Sequence, residues 1–173
     1  MSDGADRALA ETPTFDSVYR AELRYVWNSL RRMGIPPRAL EDATHDVFVV
    51  VHRKLPEFDA TRPVRPWLFG IAFRVAAAYR RRSGERNEIL HPESQAGRHD
   101  PWPQLDARDE VLQALGMLEW EARAVLILHD IDGATANDIS RETGFDAVYS
   151  RIRAARRDFR RALSLIRGEA PHE

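Results

Sequence analysis

Apolar residues recur three and four apart along most of this chain, and that spacing confines it to amphipathic helices. Phe15, Val18, Tyr19, Val26, Trp27, Leu30 and Met33 form one stripe, closed by Gly34. Leu40, Ala43, Val47, Val50 and Val51 form a second, between Pro36-Pro37 and Pro56. Trp67, Ile71, Val75 and Ala78 mark a third, with Pro66 at a first helical position and Arg80-Arg81-Arg82 at its end.

The periodicity then stops. Residues 83–105, SGERNEILHPESQAGRHDPWPQL, contain three prolines and two glycines with no sustained period, the signature of a linker. Beyond it, Val111, Leu112, Leu115 and Leu118 predict one helix, and Ala122, Val125, Leu126 and His129 another, ending at Asp132-Gly133. Thr135 and Asp138 have the spacing of a capping box, and Gly144 suits the left-handed end of the short helix it opens. Val148, Ile152, Ala155, Phe159, Leu163 and Ile166 then define a long amphipathic helix, so the pair predicts a helix-turn-helix. The expected fold is all-α: two small helical bundles joined by a flexible linker, at 14–82, 83–105 and 106–168. Bundles of about seventy residues bury a modest fraction of their surface and are marginal alone.

The formal charge of −1, from 26 basic and 27 acidic side chains, hides a local imbalance. Residues 1–82 carry 14 basic and 10 acidic groups, residues 83–110 carry 3 and 7, and residues 111–173 carry 9 and 10. Within the last segment, 151–161 holds six arginines and one aspartate, which polarises the second bundle. All but one of the basic residues are arginine, whose planar fork suits phosphates and base edges, although a coding bias toward arginine accounts for that as well. The absence of cysteine excludes disulfides, thiol catalysis and Cys-ligated metals. No run approaches the roughly eighteen apolar residues of a membrane span, and MSDGADRALAETP lacks the basic start and apolar stretch of a secretory signal. A cytoplasmic protein is expected.

Several constellations carry chemistry. On the last helix Arg153, Arg156, Arg157, Arg160 and Arg161 lie off the apolar stripe, and each phosphate they neutralise adds about 0.9 to the salt slope of DNA binding. A solvated face explains an isolated basic helix equally well; the capped helix and glycine turn before it favour duplex DNA. Tyr149, Ser150 and Arg153 sit near the helix start, where base edges are reached, and the later arginines over the backbone. Asp42 and Asp46 stand one turn apart beside His45, a pairing suited to acid–base work or half a metal site. No third ligand accompanies them, and no phosphate loop, His-Glu-x-x-His pattern or nucleophile elbow occurs. An exposed acidic docking face is the better reading, with no catalytic residue, cofactor or metal. Phe58, Trp67, Phe69, Phe73 and Tyr79 interleave with Arg62, Arg65, Arg74, Arg80, Arg81 and Arg82, which suits unstacked single-stranded bases. A core role fits most of those aromatics as well. His129 with Asp130 and Asp132 reads as a polar helix end rather than a metal cluster.

In order, EDATHDVFVVVHRKLPEFD, RPWLFGIAFRVAAAYRRR, the linker, VLILHDIDGATANDISRETG and VYSRIRAARRDFRRAL resemble the extracytoplasmic-function (ECF) class of bacterial RNA polymerase sigma factors, over residues 14–166. The resemblance implies a non-enzymatic specificity subunit that docks on core RNA polymerase, recognises two promoter elements in duplex and single-stranded DNA, and in many members has an anti-sigma partner. It implies that Asp42, His45, Asp46 and Arg53 meet the clamp helices of the largest polymerase subunit. Phe58, Asp59 and Arg62 would hold a flipped non-template base, with Arg65, Trp67, Arg74, Arg80 and Arg81 on the −10 element. Tyr149, Ser150, Arg151, Arg153 and Arg157 would read or grip the −35 element.

Three departures from the family pattern stand out. The turn between Gly144 and Val148 is shorter by about two residues, leaving Phe145-Asp146-Ala147. A loss within the turn delays or tilts the helix; a loss within the helix rotates its side chains by about 200°. The frequent Arg-Asn pair is Phe73-Arg74, and a usual aspartate is Ala78. The linker spans at most about 80 Å extended and about 25–30 Å as a free coil, against about 70 Å between sites two DNA turns apart, so something has to hold it extended. Two other readings remain: a helix-turn-helix regulator that never contacts polymerase, and a degenerate sigma factor with weakened −35 recognition.

Overall fold

The computed structural model describes residues 13–85 and 109–168. Among them lie seven α-helices and no strand: α1 (Phe15–Arg32), α2 (Leu40–Lys54), α3 (Val64–Glu85), α4 (Asp109–Met117), α5 (Trp120–Leu126), α6 (Ala136–Thr143) and α7 (Val148–Arg167). No helix among the described residues is long and apolar enough to cross a membrane.

Local chemistry sets most of the boundaries. Thr14 accepts a hydrogen bond from the Ser17 N–H at 3.2 Å to open α1, and Arg31 and Arg32 oppose the dipole in its last turn. Gly34, at φ +91°, reverses the chain. A tight turn at Pro37–Ala39 feeds α2 and another at Leu55–Glu57 follows it. α3 begins two residues before the expected Pro66 position and continues to Glu85, so Ser83 is a buried helical residue rather than linker. The rest of the expected linker, 86–105, lies outside the described residues.

In the second half, α5 opens into a wide turn at Ile127–Ile131, where the Asp132 N–H reaches back to the Ile127 carbonyl at 3.0 Å. Thr135 and Asp138 form the predicted capping box, and Gly144 takes the left-handed conformation at φ +78°.

Helices α1–α3 enclose Val26, Leu30, Val47, Val51, Leu68 and Phe69, while α4–α7 enclose Leu115, Val125, Leu128, Ile139 and Ala155. The sequence predicts two bundles joined by a linker, and the structure adds direct contact between them: α3 packs on α6 and α1 lies against α4, so that buried apolar residues run on from one half to the other. The cause lies in α3. Leu68, Phe69, Ile71, Ala72 and Ala76 are buried, and Trp67, Phe73 and Val75 are partly buried, leaving apolar surface on several sides of the helix. One bundle cannot cover all of it.

Candidate nucleic-acid interface

α2 divides cleanly into two faces. Ala43, Thr44, Val47, Phe48 and Val51 are buried, and Asp42, His45, Asp46 and Arg53 are exposed. Thr44 is tolerated inside because its hydroxyl donates to the Leu40 carbonyl at 2.6 Å. The acidic turn therefore faces solvent on a helix whose position is fixed by its opposite side.

The loop into α3 is built differently. Asp59 accepts from the Thr61 N–H at 3.0 Å and from the Thr61 hydroxyl at 2.6 Å, and these bonds hold its carboxyl below the usual carboxylate range. Phe58 is buried against Trp67, their ring centroids 4.6 Å apart. Arg62 points its guanidinium onto the carboxylate of Glu142, a buried acid on α6. Arg74 donates to the Gly70 carbonyl and to the Glu142 backbone carbonyl, both at 2.9 Å. Gly70 makes the approach possible: a Cβ there would lie 3.0 Å from both the Glu142 Cβ and its carbonyl oxygen. Arg65 bonds Glu22 at 2.9 Å and lies over the Tyr25 ring, and Arg80 lies over the Trp120 ring at 4.5 Å. Arg81 is exposed.

Further ties cross between the halves. Tyr25 donates to Asp132 at 2.7 Å; burial, then the Asp132 charge, raises the Tyr25 pKa, and burial raises that of Asp132. Arg123 donates to the carbonyls of Met33 at 2.9 Å, Gly116 at 2.8 Å and Leu118 at 3.3 Å, gathering the C-terminal ends of α1 and α4. Burial, then the nearby charge of Arg80, pushes the Arg123 pKa down to about 10. The Phe73 ring stacks on Trp120 at 5.5 Å and meets Phe145 edge-on at 5.6 Å.

On α7 the apolar residues Val148, Ile152, Ala155 and Ala162 are buried, while Tyr149, Ser150, Arg153 and Arg157 are exposed. The turn before it ends in a second left-handed residue, Ala147 at φ +46°, so the helix begins at Val148 with no side-chain cap. Arg151 is committed locally, to Glu121 at 2.5 Å and Asp146 at 2.9 Å, and lies over the Phe145 ring. Arg156 binds Asp130 at 2.6 Å, and that bond, added to by His129, lowers the Asp130 pKa. Sequence reasoning missed Glu142, Tyr25, Asp132 and Arg123 as site residues. The legible signal was Gly70, a glycine inside the apolar helical run WLFGIAF, which marks a close approach.

Residues 18–86 match the family Sigma-70 region 2. The chain is 32% identical over 141 residues to the RNA polymerase sigma factor CnrH of Cupriavidus metallidurans, spanning 73% of this chain and 74% of that one. The chain belongs to the ECF class of RNA polymerase sigma factors. A second relative, the RNA polymerase sigma factor NccH of Alcaligenes xylosoxydans xylosoxydans, is 26% identical over 90% of this chain and 94% of its own. Two solved structures share the architecture, each with a TM-score of 0.63: CnrH in complex with the cytosolic domain of CnrY, and the sigma factor RpoE in complex with the anti-sigma factor NepR from Bartonella quintana. The first is 26% identical and covers 90% of this chain and 89% of that one; the second is 25% identical and covers 85% and 97%. As a sigma factor, the chain binds core RNA polymerase and directs promoter recognition and transcription initiation.

Proposed function

We infer that the sigma activity is divided between the two halves. Asp42, His45, Asp46 and Arg53 dock on core polymerase. The loop and α3, through Phe58, Asp59, Arg62, Arg65, Trp67, Arg74, Arg80 and Arg81, take the −10 element. α7, through Tyr149, Ser150, Arg153 and Arg157, reads the −35 element, with Arg151 bracing the helix start. The observation that carries this assignment is the pairing of two exposed faces on well-anchored helices, the acidic turn of α2 and the basic turns of α7.

The division of labour has an energetic consequence. Separating about ten base pairs at roughly 1.4 kcal/mol per step costs on the order of 14 kcal/mol, whereas one or two pocketed bases return about 1–3 kcal/mol each. The free chain therefore does not open DNA; it guides the polymerase, catalyses no reaction itself, needs no cofactor, and works in the cytoplasm. An anti-sigma factor is a fitting antagonist, since both structural neighbours were solved with CnrY or NepR bound.

The test is transcription by core polymerase on a genomic template library. Asp46→Arg should abolish core binding while the circular dichroism of the chain stays unchanged. Arg153→Ala should keep core binding and weaken −35 duplex binding. Core binding that survives Asp46→Arg would refute the docking assignment.

A further inference from the structure

α7 starts with no side chain on its first N–H groups. Ala147, left-handed at φ +46°, stands at the capping position and makes no side-chain bond. What fixes the helix start comes from one turn further along. The Arg151 guanidinium folds back onto the turn and across to α5. Its Nε donates to the Asp146 carbonyl at 2.9 Å, one terminal nitrogen to the Asp146 carboxylate at 2.9 Å, and the other to Glu121 at 2.5 Å. Its flat face lies 5.2 Å from the centre of the buried Phe145 ring.

We propose that Glu121 and Asp146, two acids beside a DNA-binding face, are positioning residues for −35 recognition, acting through Arg151; this rests on the −35 assignment of α7 made above. They set the angle at which α7 presents Tyr149, Ser150 and Arg153, and Arg151 itself grips no DNA.

Two further observations support that role. Tyr149, Ser150 and Arg153 are exposed and lie on either side of Arg151 in the chain, so a tilt of the helix start moves all three. Reading side chains have to be held within about 0.5 Å and 10–20° of their targets. Arg156 also forks onto Asp130, at 2.8 and 2.6 Å, in the wide turn that follows α5. One tie between α5 and α7 would leave a pivot; the second fixes the angle. Exposed ion pairs contribute little to stability, so neutralising the acids leaves the helix folded and removes its aim.

The sign of the effect separates this role from simple competition. If the acids only held Arg151 away from phosphate, neutralising them would strengthen DNA binding. As positioning residues, their neutralisation weakens specific binding.

The test uses the full chain and two duplexes, one carrying the −35 element of a promoter recovered from the genomic template library, the other a scrambled sequence of equal composition. The double variant Glu121→Gln with Asp146→Asn is compared with Arg151→Ala and the parent. Each should lower the preference for the −35 duplex about tenfold, the worth of about one base contact, at unchanged circular dichroism. Arg151→Ala should also keep the parent's salt slope, whereas loss of a phosphate contact would lower it by about 0.9. In both variants, amide hydrogen exchange at 148–152 should speed up in the absence of DNA. An acid variant that keeps its preference, a fallen slope in Arg151→Ala, or unchanged exchange would overturn the proposal. A parent that binds both duplexes alike would instead strike the −35 assignment, and the exchange would then decide whether the acids hold the helix start.

Discussion

α3 and α7 are both arginine-rich helices, and they differ in where their paired arginines reach: Arg151 and Arg156 of α7 bind acids of their own half, whereas the set on and before α3 reaches across to the other. α7 leaves Arg153 and Arg157 in solvent beside Tyr149 and Ser150. Arg62, Arg74 and Arg80, on α3 and the loop before it, are taken up by Glu142 and Trp120 of the other half. For Arg62 and Arg74 the difference comes from a single buried acid and the glycine that admits it. Charge counts along a sequence therefore measure the capacity to bind nucleic acid, and the counter-charges inside the fold decide its availability.

The sharpest way to break this contrast is to remove one arginine from each set. Arg62→Ala strands Glu142 as a buried, unpartnered charge and should cost about 3 kcal/mol of stability in urea denaturation, the lower end of the range for breaking such a pair. Arg153→Ala, on the open face, should stay within about 0.5 kcal/mol. Equal losses would mean that the two sets are held alike.

A second comparison concerns DNA. Arg153→Ala should weaken duplex binding at a −35 element by about 1–3 kcal/mol if the side chain contacts a base, and Arg157→Ala should lower the salt slope by about 0.9 if it contacts phosphate. Arg74→Ala should leave both quantities unchanged, because it stands on α3, in the half assigned to the −10 element, and not on the −35 face. Filter binding over a salt series measures all three.

The start of α7 gives a smaller effect. Ala147 is left-handed at φ +46°, a conformation that costs a residue with a Cβ about 1–2 kcal/mol. Ala147→Gly removes that strain but adds about 0.5–1 kcal/mol of chain entropy. A net gain of about 0.5 kcal/mol is expected, and a loss in thermal unfolding would contradict it.

Two aspartates in one turn should separate most finely. The bond from Arg156 lowers the pKa of Asp130 below its ordinary 3.8, so its contribution to stability is present above that value and is lost as pH falls through the folded one. Burial raises the pKa of Asp132, so stability declines as pH climbs from 3.8 through its folded value. A carboxyl-carbon NMR titration should find the two on opposite sides of 3.8; joint titration would contradict both assignments.

The helices were legible in the sequence because their apolar stripes are local, and the Thr135–Asp138 box and Gly144 were legible because caps and left-handed turns depend on residue type. The contacts between the two halves were less so. Arg123 looks like an ordinary surface arginine in WEARAVL, and only the meeting of the α1 and α4 ends gives its guanidinium three carbonyls. Glu142 looks like a solvated residue in SRETG, and its burial depends on Gly70, distant in sequence. Phe58, assigned by resemblance to a flipped base, is buried and packed on Trp67.

The spin-label distance between Ala21→Cys and Leu165→Cys, recorded before and after addition of core RNA polymerase, bears on the whole account at once. In the free chain, where α3 packs on α6, the distance should be single-valued, and it should lengthen as the halves move toward sites about 70 Å apart. A distance that is unchanged by polymerase, or already long without it, would contradict the account.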